Sequence, residues 1–206
     1  MTIFVDFDHT LFNATLFKEK LYDVLSYTGF GKEEFFEIYN QVQSEDGWND
    51  YKLIKALKSK KDFDENKALI SLRALIQSTS DYLYLDAVSF LNLFQNKARL
   101  ILVSWGDPNI QKDKVLNSGL MKYFDKTIFT SQKKYSLLAD YLDKDSVNFF
   151  INDNPLENQE VAKIYPDMKI LTIKREDGKE YQANDYENLK TLTDLQTISD
   201  VINKNL

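Results

Sequence analysis

Cysteine is absent from the chain, which rules out a disulfide framework and any thiolate metal site. Loop-forming residues are scarce as well: 6 glycines and 3 prolines in 206 residues argue for a helix-rich chain with few irregular connections. Positive charge is in deficit, with 26 Lys and Arg against 32 Asp and Glu. Nucleic-acid binding depends on neutralising phosphates with Lys and Arg, so a balance of −6 points away from that class of partner. One local basic cluster, Lys58, Lys60 and Lys61, reads most simply as a solvated helix end. No apolar run comes near the length of a membrane span, about 18 residues, and the opening MTIFVDFD carries neither a basic leader nor an apolar signal core. The expectation is a soluble, cytoplasmic protein with no membrane partner.

Apolar residues, at 43% of the chain, suffice for a sizeable core, either as one domain or as a core domain carrying an inserted lobe. Short runs rich in β-formers occur at Thr2 to Val5, Arg99 to Val103, Thr127 to Phe129, Val147 to Ile151 and Lys169 to Ile173. They do not alternate, which suits strands covered on both faces of a parallel sheet. Helical patterns separate the last four. Asp107-Pro108 and Asn154-Pro155 each supply an N-cap followed by proline at the first helical position. A further helix is predicted from Ser131 or Gln132 to Leu142, and a last one near Asp194 to Ile202. Strand alternating with helix predicts an α/β chain with right-handed crossovers.

The stretch from about Asn13 to Tyr82 departs from that alternation. Four helical stripes are readable there: Phe17, Leu21, Val24 and Leu25; Phe35, Ile38, Tyr39 and Val42; Leu53, Ile54 and Leu57; Leu69, Leu72, Leu75 and Ile76. They read as a helical lobe inserted after the first strand. The Gly29-Phe30-Gly31-Lys32 run lacks the spacing and the hydroxyl of a P-loop.

Four polar groups of residues lie at predicted strand ends, where open α/β sheets place their ligands. Asp6 and Asp8 bring two carboxylates near one point, and their repulsion calls for a cation or a proton; an acidic turn has the same sequence. Ser104, followed by Trp105 and Gly106 and a helix start, can cradle a phosphate or form an ordinary turn. Lys134 stands early in a helix, where the dipole disfavours a cation. Asn152, Asp153 and Glu157 suit magnesium through a carboxylate, and they also cap a helix.

Taken in order, FVDFDHTLF, LILVSWG, KYSLLADYL and FFINDNPLE resemble the four motifs of the haloacid dehalogenase-like superfamily, and the helical insert matches the place of that family's cap. The resemblance implies a Rossmann-like parallel five-stranded sheet of order 3-2-1-4-5 flanked by helices. Residues 1–13 and 83–206 would form the core and residues 14–82 an all-helical cap. It implies a Mg²⁺-dependent phosphohydrolase acting on a small phosphorylated metabolite; nucleotides, sugar phosphates and other metabolite phosphates all fit. Asp6 would be nucleophile and metal ligand. Asp8 would be general acid and then base, binding metal through its backbone carbonyl, and Asp153 would complete the metal site. Ser104 and Lys134, with Trp105 and Gly106, would hold the phosphoryl oxygens, supported by Thr10, Asn152 and Glu157. As a general acid Asp8 needs a pKa raised from about 3.9, and burial beside Asp6 is expected to raise it.

Asn152 departs from the Asp or Gly common in relatives, and Trp105 is larger than the usual residue after the motif hydroxyl. The only histidine, His9, is expected to be structural. Ser44 to Asn49 is expected between two cap helices and facing the site, with Trp48 and Tyr51 the candidate selecting residues, although Trp48 fits the cap's own core slightly better. A phosphorylated receiver domain is the alternative from another class; it has no such insert and places its lysine at the fifth strand's end. A degenerate binding module and a phosphomutase on the same scaffold complete the alternatives.

Overall fold

The computed structural model describes residues 1–204, apart from the side chains of residues 45 and 46. Its centre is a wholly parallel sheet of order β3-β2-β1-β4-β5-β6. The strands are β1 (Thr2–Val5), β2 (Arg99–Trp105), β3 (Lys126–Thr130), β4 (Asn148–Asn152), β5 (Lys169–Ile173) and β6 (Thr191–Leu192). The predicted order holds, with six strands in place of five. The addition, β6, has two residues paired to Thr172 and Ile173, too short to carry any periodic signal.

The middle strand β1 lies between β2 and β4, and Ile3, Phe4 and Val5 have no exposed surface. Alternate residues point to opposite faces. Ile3 and Val5 join Leu100, Leu102 and Phe149 in one apolar cluster, whereas Phe4 joins Ile101, Val103 and Phe150 in another. Because all strands run the same way, Asp6, Trp105, Thr130 and Asp153 emerge at a single edge.

After the sheet's strands come α5 (Ala87–Phe94, before β2), α6 (Pro108–Asn117), α7 (Tyr135–Leu138), α8 (Pro155–Ile164) and α9 (Leu195–Asn203). Asp107 caps α6 by accepting from the N–H groups of Asn109 and Ile110, and Asn154 caps α8 from Leu156 and Glu157. The helix predicted to reach Leu142 is shorter: α7 closes at Leu138 and Ala139–Tyr141 tightens into a 3₁₀ turn.

Between β1 and β2, four helices match the four stripes: α1 (Ala14–Leu25), α2 (Lys32–Asp46), α3 (Asp50–Lys58) and α4 (Glu65–Gln77). The chain enters and leaves this insert side by side. Asn13 N–H donates to Tyr82 O at 2.8 Å and Tyr84 N–H to Leu11 O at 3.0 Å, making a short antiparallel ribbon. The insert also rests on the core away from the ribbon. Phe17, Leu53 and Leu72 belong to the same cluster as Phe7 and Phe12, and Thr79 Oγ1 donates to Lys114 O at 3.0 Å.

The segment between α2 and α3 is only Gly47 to Asn49, because α2 continues to Asp46. Gly47 has φ +91°, and a Cβ there would sit 2.3 Å from the backbone N of Asp107. Only glycine permits that approach. Asn49 Nδ2 adds a hydrogen bond to Asp107 Oδ2 at 2.9 Å. Gly47→Ala is therefore expected to push the insert off the Gly106–Asp107 turn and to destabilise the protein by about 1–3 kcal/mol. Denaturant titration checks this; unchanged stability would mean that the close contact is not kept in solution.

Candidate active site

Asp6 leaves the end of β1 almost fully buried, at 4% exposure. Its Oδ1 accepts from Lys134 Nζ at 2.7 Å and its Oδ2 from Thr10 Oγ1 at 3.4 Å. Lys134, at the start of α7, is 3% exposed and also pairs with Glu157 at 3.0 Å. Adjacent Lys133 lies outside and pairs with Glu160. Asn152 is aimed at Lys134. Its Oδ1 accepts from Lys134 at 3.2 Å while its Nδ2 donates to Glu157 and Asn158, so it works as a strut under Lys134.

The carboxylates crowd one another. Burial pushes Asp6 up to about 6 against the pull of Lys134, with Asp8 and Glu157 adding repulsion. Asp153 is raised well above its ordinary value, by burial first and Asp6 second. For Lys134, burial works against the charge, but Asp6 and Glu157 outweigh it and keep the ammonium firmly protonated.

Asp8 runs the other way, and this corrects the expectation from sequence. Burial would raise it, but the Lys114 ammonium and the Gln111 amide hold its carboxyl below the ordinary Asp value. Lys114 Nζ meets Asp8 Oδ1 at 2.5 Å and Gln111 Nε2 donates to Asp8 Oδ2 at 2.8 Å. Both partners lie on α6 and neither was identified from the sequence. Gln111 Nε2 also lies 2.8 Å from Ser104 Oγ and from Trp105 O. Ser104 is fully buried. Gly106 turns the chain at φ +139°, where a Cβ would come within 3.2 Å of Gln111 Cγ. The Trp105 indole donates to Ser131 O at 3.1 Å, which lays the ring on the loop after β3.

Further residues at this edge were also missed. The phenols of Tyr39 on α2 and of Tyr181 after β5 are both raised, by burial first and then by Asp8 and by Asp153 with Asp6 respectively. Asp177, in the same loop as Tyr181, accepts from Asn13 Nδ2 and from Tyr84 Oη, the latter at 2.9 Å. Of the expected selecting residues, Trp48 packs between Phe17 and Tyr39 at 6% exposure, and Tyr51 is 69% exposed. Tyr51 lines a surface groove with Asn49, Arg73, Asp107 and Asp113. That groove contains none of Asp6, Asp8, Ser104, Lys134 or Asp153, so it is not the site. His9 adopts a left-handed turn (φ 58°), and burial lowers its pKa, so it stays neutral.

Among the described residues, no group of three or more His, Cys, Asp and Glu side chains is placed to hold a metal. The donor set nonetheless fits a hard cation. Beyond burial, Asp153 is raised by Asp6, and Asp6 by Asp8 and Glu157; no donor among the described residues reaches the Asp153 carboxylate or the Asp8 carbonyl oxygen. Two carboxylates, one carbonyl and retained waters are the kind of set magnesium accepts.

This sheet, with its insert and strand-end acids, is the fold of the haloacid dehalogenase-like hydrolases. A protein of Burkholderia xenovorans LB400 assigned as a haloacid dehalogenase-like hydrolase superposes with a TM-score of 0.78 at 14% identity, covering 98% of this chain and 96% of that one. YfnB of Bacillus subtilis, assigned as a HAD-hydrolase and solved bound to magnesium, gives 0.68 at 14% identity, covering 98% of both chains. L-2-haloacid dehalogenase of Xanthobacter autotrophicus, solved with chloropropionic acid covalently bound, gives 0.69 at 14%, again over 98% of both. At such identity the likeness is one of fold. No family model matches the chain, and no curated protein matches it in sequence.

The crowding has a measurable consequence without metal. Asp6 holds its proton more tightly folded than unfolded, so the stability this contributes is complete below its ordinary 3.8 and is lost as pH rises through about 6. In chelator, the wild-type protein is expected to lose on the order of 3 kcal/mol across that window. Asp6→Asn should flatten the decline, leaving the part due to Asp153. Denaturation midpoints of both proteins on either side of the window test this, and parallel curves would show that Asp6 is not the group responsible.

Proposed function

We propose that the chain is a magnesium-dependent phosphohydrolase that cleaves small phosphate monoesters through an aspartyl-phosphate on Asp6. The observation that carries this reading is the pairing of a buried carboxylate at the end of β1 with a second, fixed acid two residues on. Attack by a carboxylate on carbon with loss of halide needs no proton, so a dehalogenase has no use for Asp8. An alkoxide leaving from phosphorus does need one.

In the first step the Asp6–phosphorus bond forms as the ester oxygen leaves. Lys134 balances negative charge on the equatorial oxygens. Ser104 accepts from Gln111, so its own proton is free to point to a phosphoryl oxygen. Asp8 is ionised in the ligand-free arrangement. A dianionic phosphoryl group beside it favours the protonated form, which then donates to the leaving oxygen. In the second step the same carboxylate takes a proton from the water that attacks phosphorus, while the bond from Asp6 to phosphorus breaks, freeing the Asp6 carboxylate and inorganic phosphate. Asp6, Asp153 and the Asp8 carbonyl would hold Mg²⁺, which supplies neutralising charge between nucleophile and phosphate.

The helical insert acts as a cap in this reading, excluding water from the acids and presenting Tyr39 to the substrate. The magnesium-bound YfnB structure is described as revealing interdomain movement, which supports a cap able to open.

A panel of phosphorylated metabolites with magnesium tests the reaction: free phosphate is expected from the wild-type protein and none above background from Asp6→Asn. Phosphate appearing on a second substrate hydroxyl would instead mark a phosphomutase, and turnover by Asp6→Asn would remove the nucleophile assignment. Asp8→Asn is expected to lower the rate by about 10²–10⁴ while keeping magnesium affinity. Asp153→Asn should lose that affinity. Equal weakening of magnesium binding in a calorimetric titration would count against the roles given to the two acids.

A further inference from the structure

Lys114, in the last turn of α6, is only 3% exposed. Burying an ammonium is costly unless it is paired. Among the described residues its only anionic partner is Asp8, at 2.5 Å, and a further hydrogen bond goes to Gln111 Oε1 at 2.9 Å. The rest of its surroundings are aromatic: the rings of Phe12, Phe7 and Phe17 lie 4.7, 5.3 and 5.7 Å from Nζ, within cation–π reach. Phe7 and Phe12 flank the nucleophile turn, and Phe17 belongs to α1 of the insert. The backbone carbonyl of Lys114 accepts from Thr79, where the chain leaves the insert.

These contacts form an ordered chain. The ammonium donates to Gln111 Oε1, which fixes the amide so that Nε2 faces Asp8, Ser104 and the Trp105 carbonyl. Each Asp8 oxygen then has one partner from α6, Oδ1 with Lys114 and Oδ2 with Gln111. The carboxylate can still turn a second lone pair of either oxygen to a substrate, but it cannot swing away. Ser104 on β2 and Asp8 in the turn after β1 are tied to a single amide nitrogen.

We propose that Lys114, through Gln111, is the positioning residue that sets the Asp8 carboxylate in register with the phosphate held at Ser104, and that the insert completes its dry surroundings with Phe17. The inference rests on the phosphohydrolase reading and adds residues from the face of α6 to its machinery. In the step concerned, the phosphorus–oxygen bond breaks as the Asp6–phosphorus bond forms, and the leaving oxygen takes the Asp8 proton. Lys114 touches none of the reacting atoms.

Leaving-group dependence reads such a role apart from folding. The ratio kcat/KM reports steps up to formation of the aspartyl-phosphate, where a nitrophenolate leaves without needing a proton and an alkoxide does not. Lys114→Met is expected to lower kcat/KM for an alkyl phosphate about 10²-fold, the worth of a positioned acid. The same variant should change kcat/KM for 4-nitrophenyl phosphate less than about 5-fold on that scale. Lys114→Arg should restore part of the alkyl activity, because it returns a donor to Asp8. Phe17→Ala should show the same selective loss in weaker form. Equal loss on both substrates, tracking the thermal midpoint, would make Lys114 structural only and overturn the proposal. No phosphate release from either compound by the wild-type protein would overturn the hydrolase reading and this inference with it.

Discussion

Gathering Asp6, Asp8, Asp153 and Glu157 at one sheet edge sets negative charges against one another in a space largely closed to water. Low polarisability magnifies every such repulsion. Two buried lysines divide the problem between them. Lys134 comes from α7 and spans Asp6 and Glu157; Lys114 comes from α6 and takes Asp8. The outcome is asymmetric, with Asp8 lowered and Asp6 and Asp153 raised. Adjacent acids with opposite tendencies are what a site needs when one carboxylate must attack and another must shuttle a proton.

Much of this was legible from residue order. Buried parallel strands announce themselves as unbroken β-forming runs, and β1, β2, β4 and β5 lie within a residue or two of their predicted limits. Asp107-Pro108 and Asn154-Pro155 marked helix starts because the cap and the missing proline N–H act locally. The acids at strand ends were visible for the same reason. Lys114 and Gln111 were not, since their meaning depends on Asp8, more than a hundred positions away. A faint signal did exist. Gln111 shares a helix face with Val115, and Lys114 shares one with Ile110, both apolar partners buried. Polar residues on the inward side of a short helix are what deserved the question. The electrostatics of Asp8 went the other way from expectation because the ion pair was invisible.

The insert sits close on the core. A glycine laid against the Gly106–Asp107 backbone, a tryptophan buried against Phe17 and Tyr39, and an apolar cluster shared with Phe7, Leu11 and Phe12 describe one packed body. Two phenols reach toward the acids from the rim. Tyr39 does so from the insert and Tyr181 from the loop after β5, and that loop is moored through Asp177 to both stretches of chain that carry the insert.

The ribbon at the insert's base bears on how the chain finds its fold. Thr2 must pair with Arg99, closing a loop of nearly a hundred residues, and long closures slow folding. Pairing Leu11 and Asn13 with Tyr82 and Tyr84 cuts that excursion at its neck. Once the neck is tied, β1 and β2 are separated by little more than α5, and the four helices hang outside the path the sheet follows. Arg175 knots the neck further, bidentate to Asp86 at 2.8 and 2.7 Å and bonded to Thr10 O at 2.9 Å. With the neck tied, the search that brings β1 to β2 is shorter than the distance along the chain suggests.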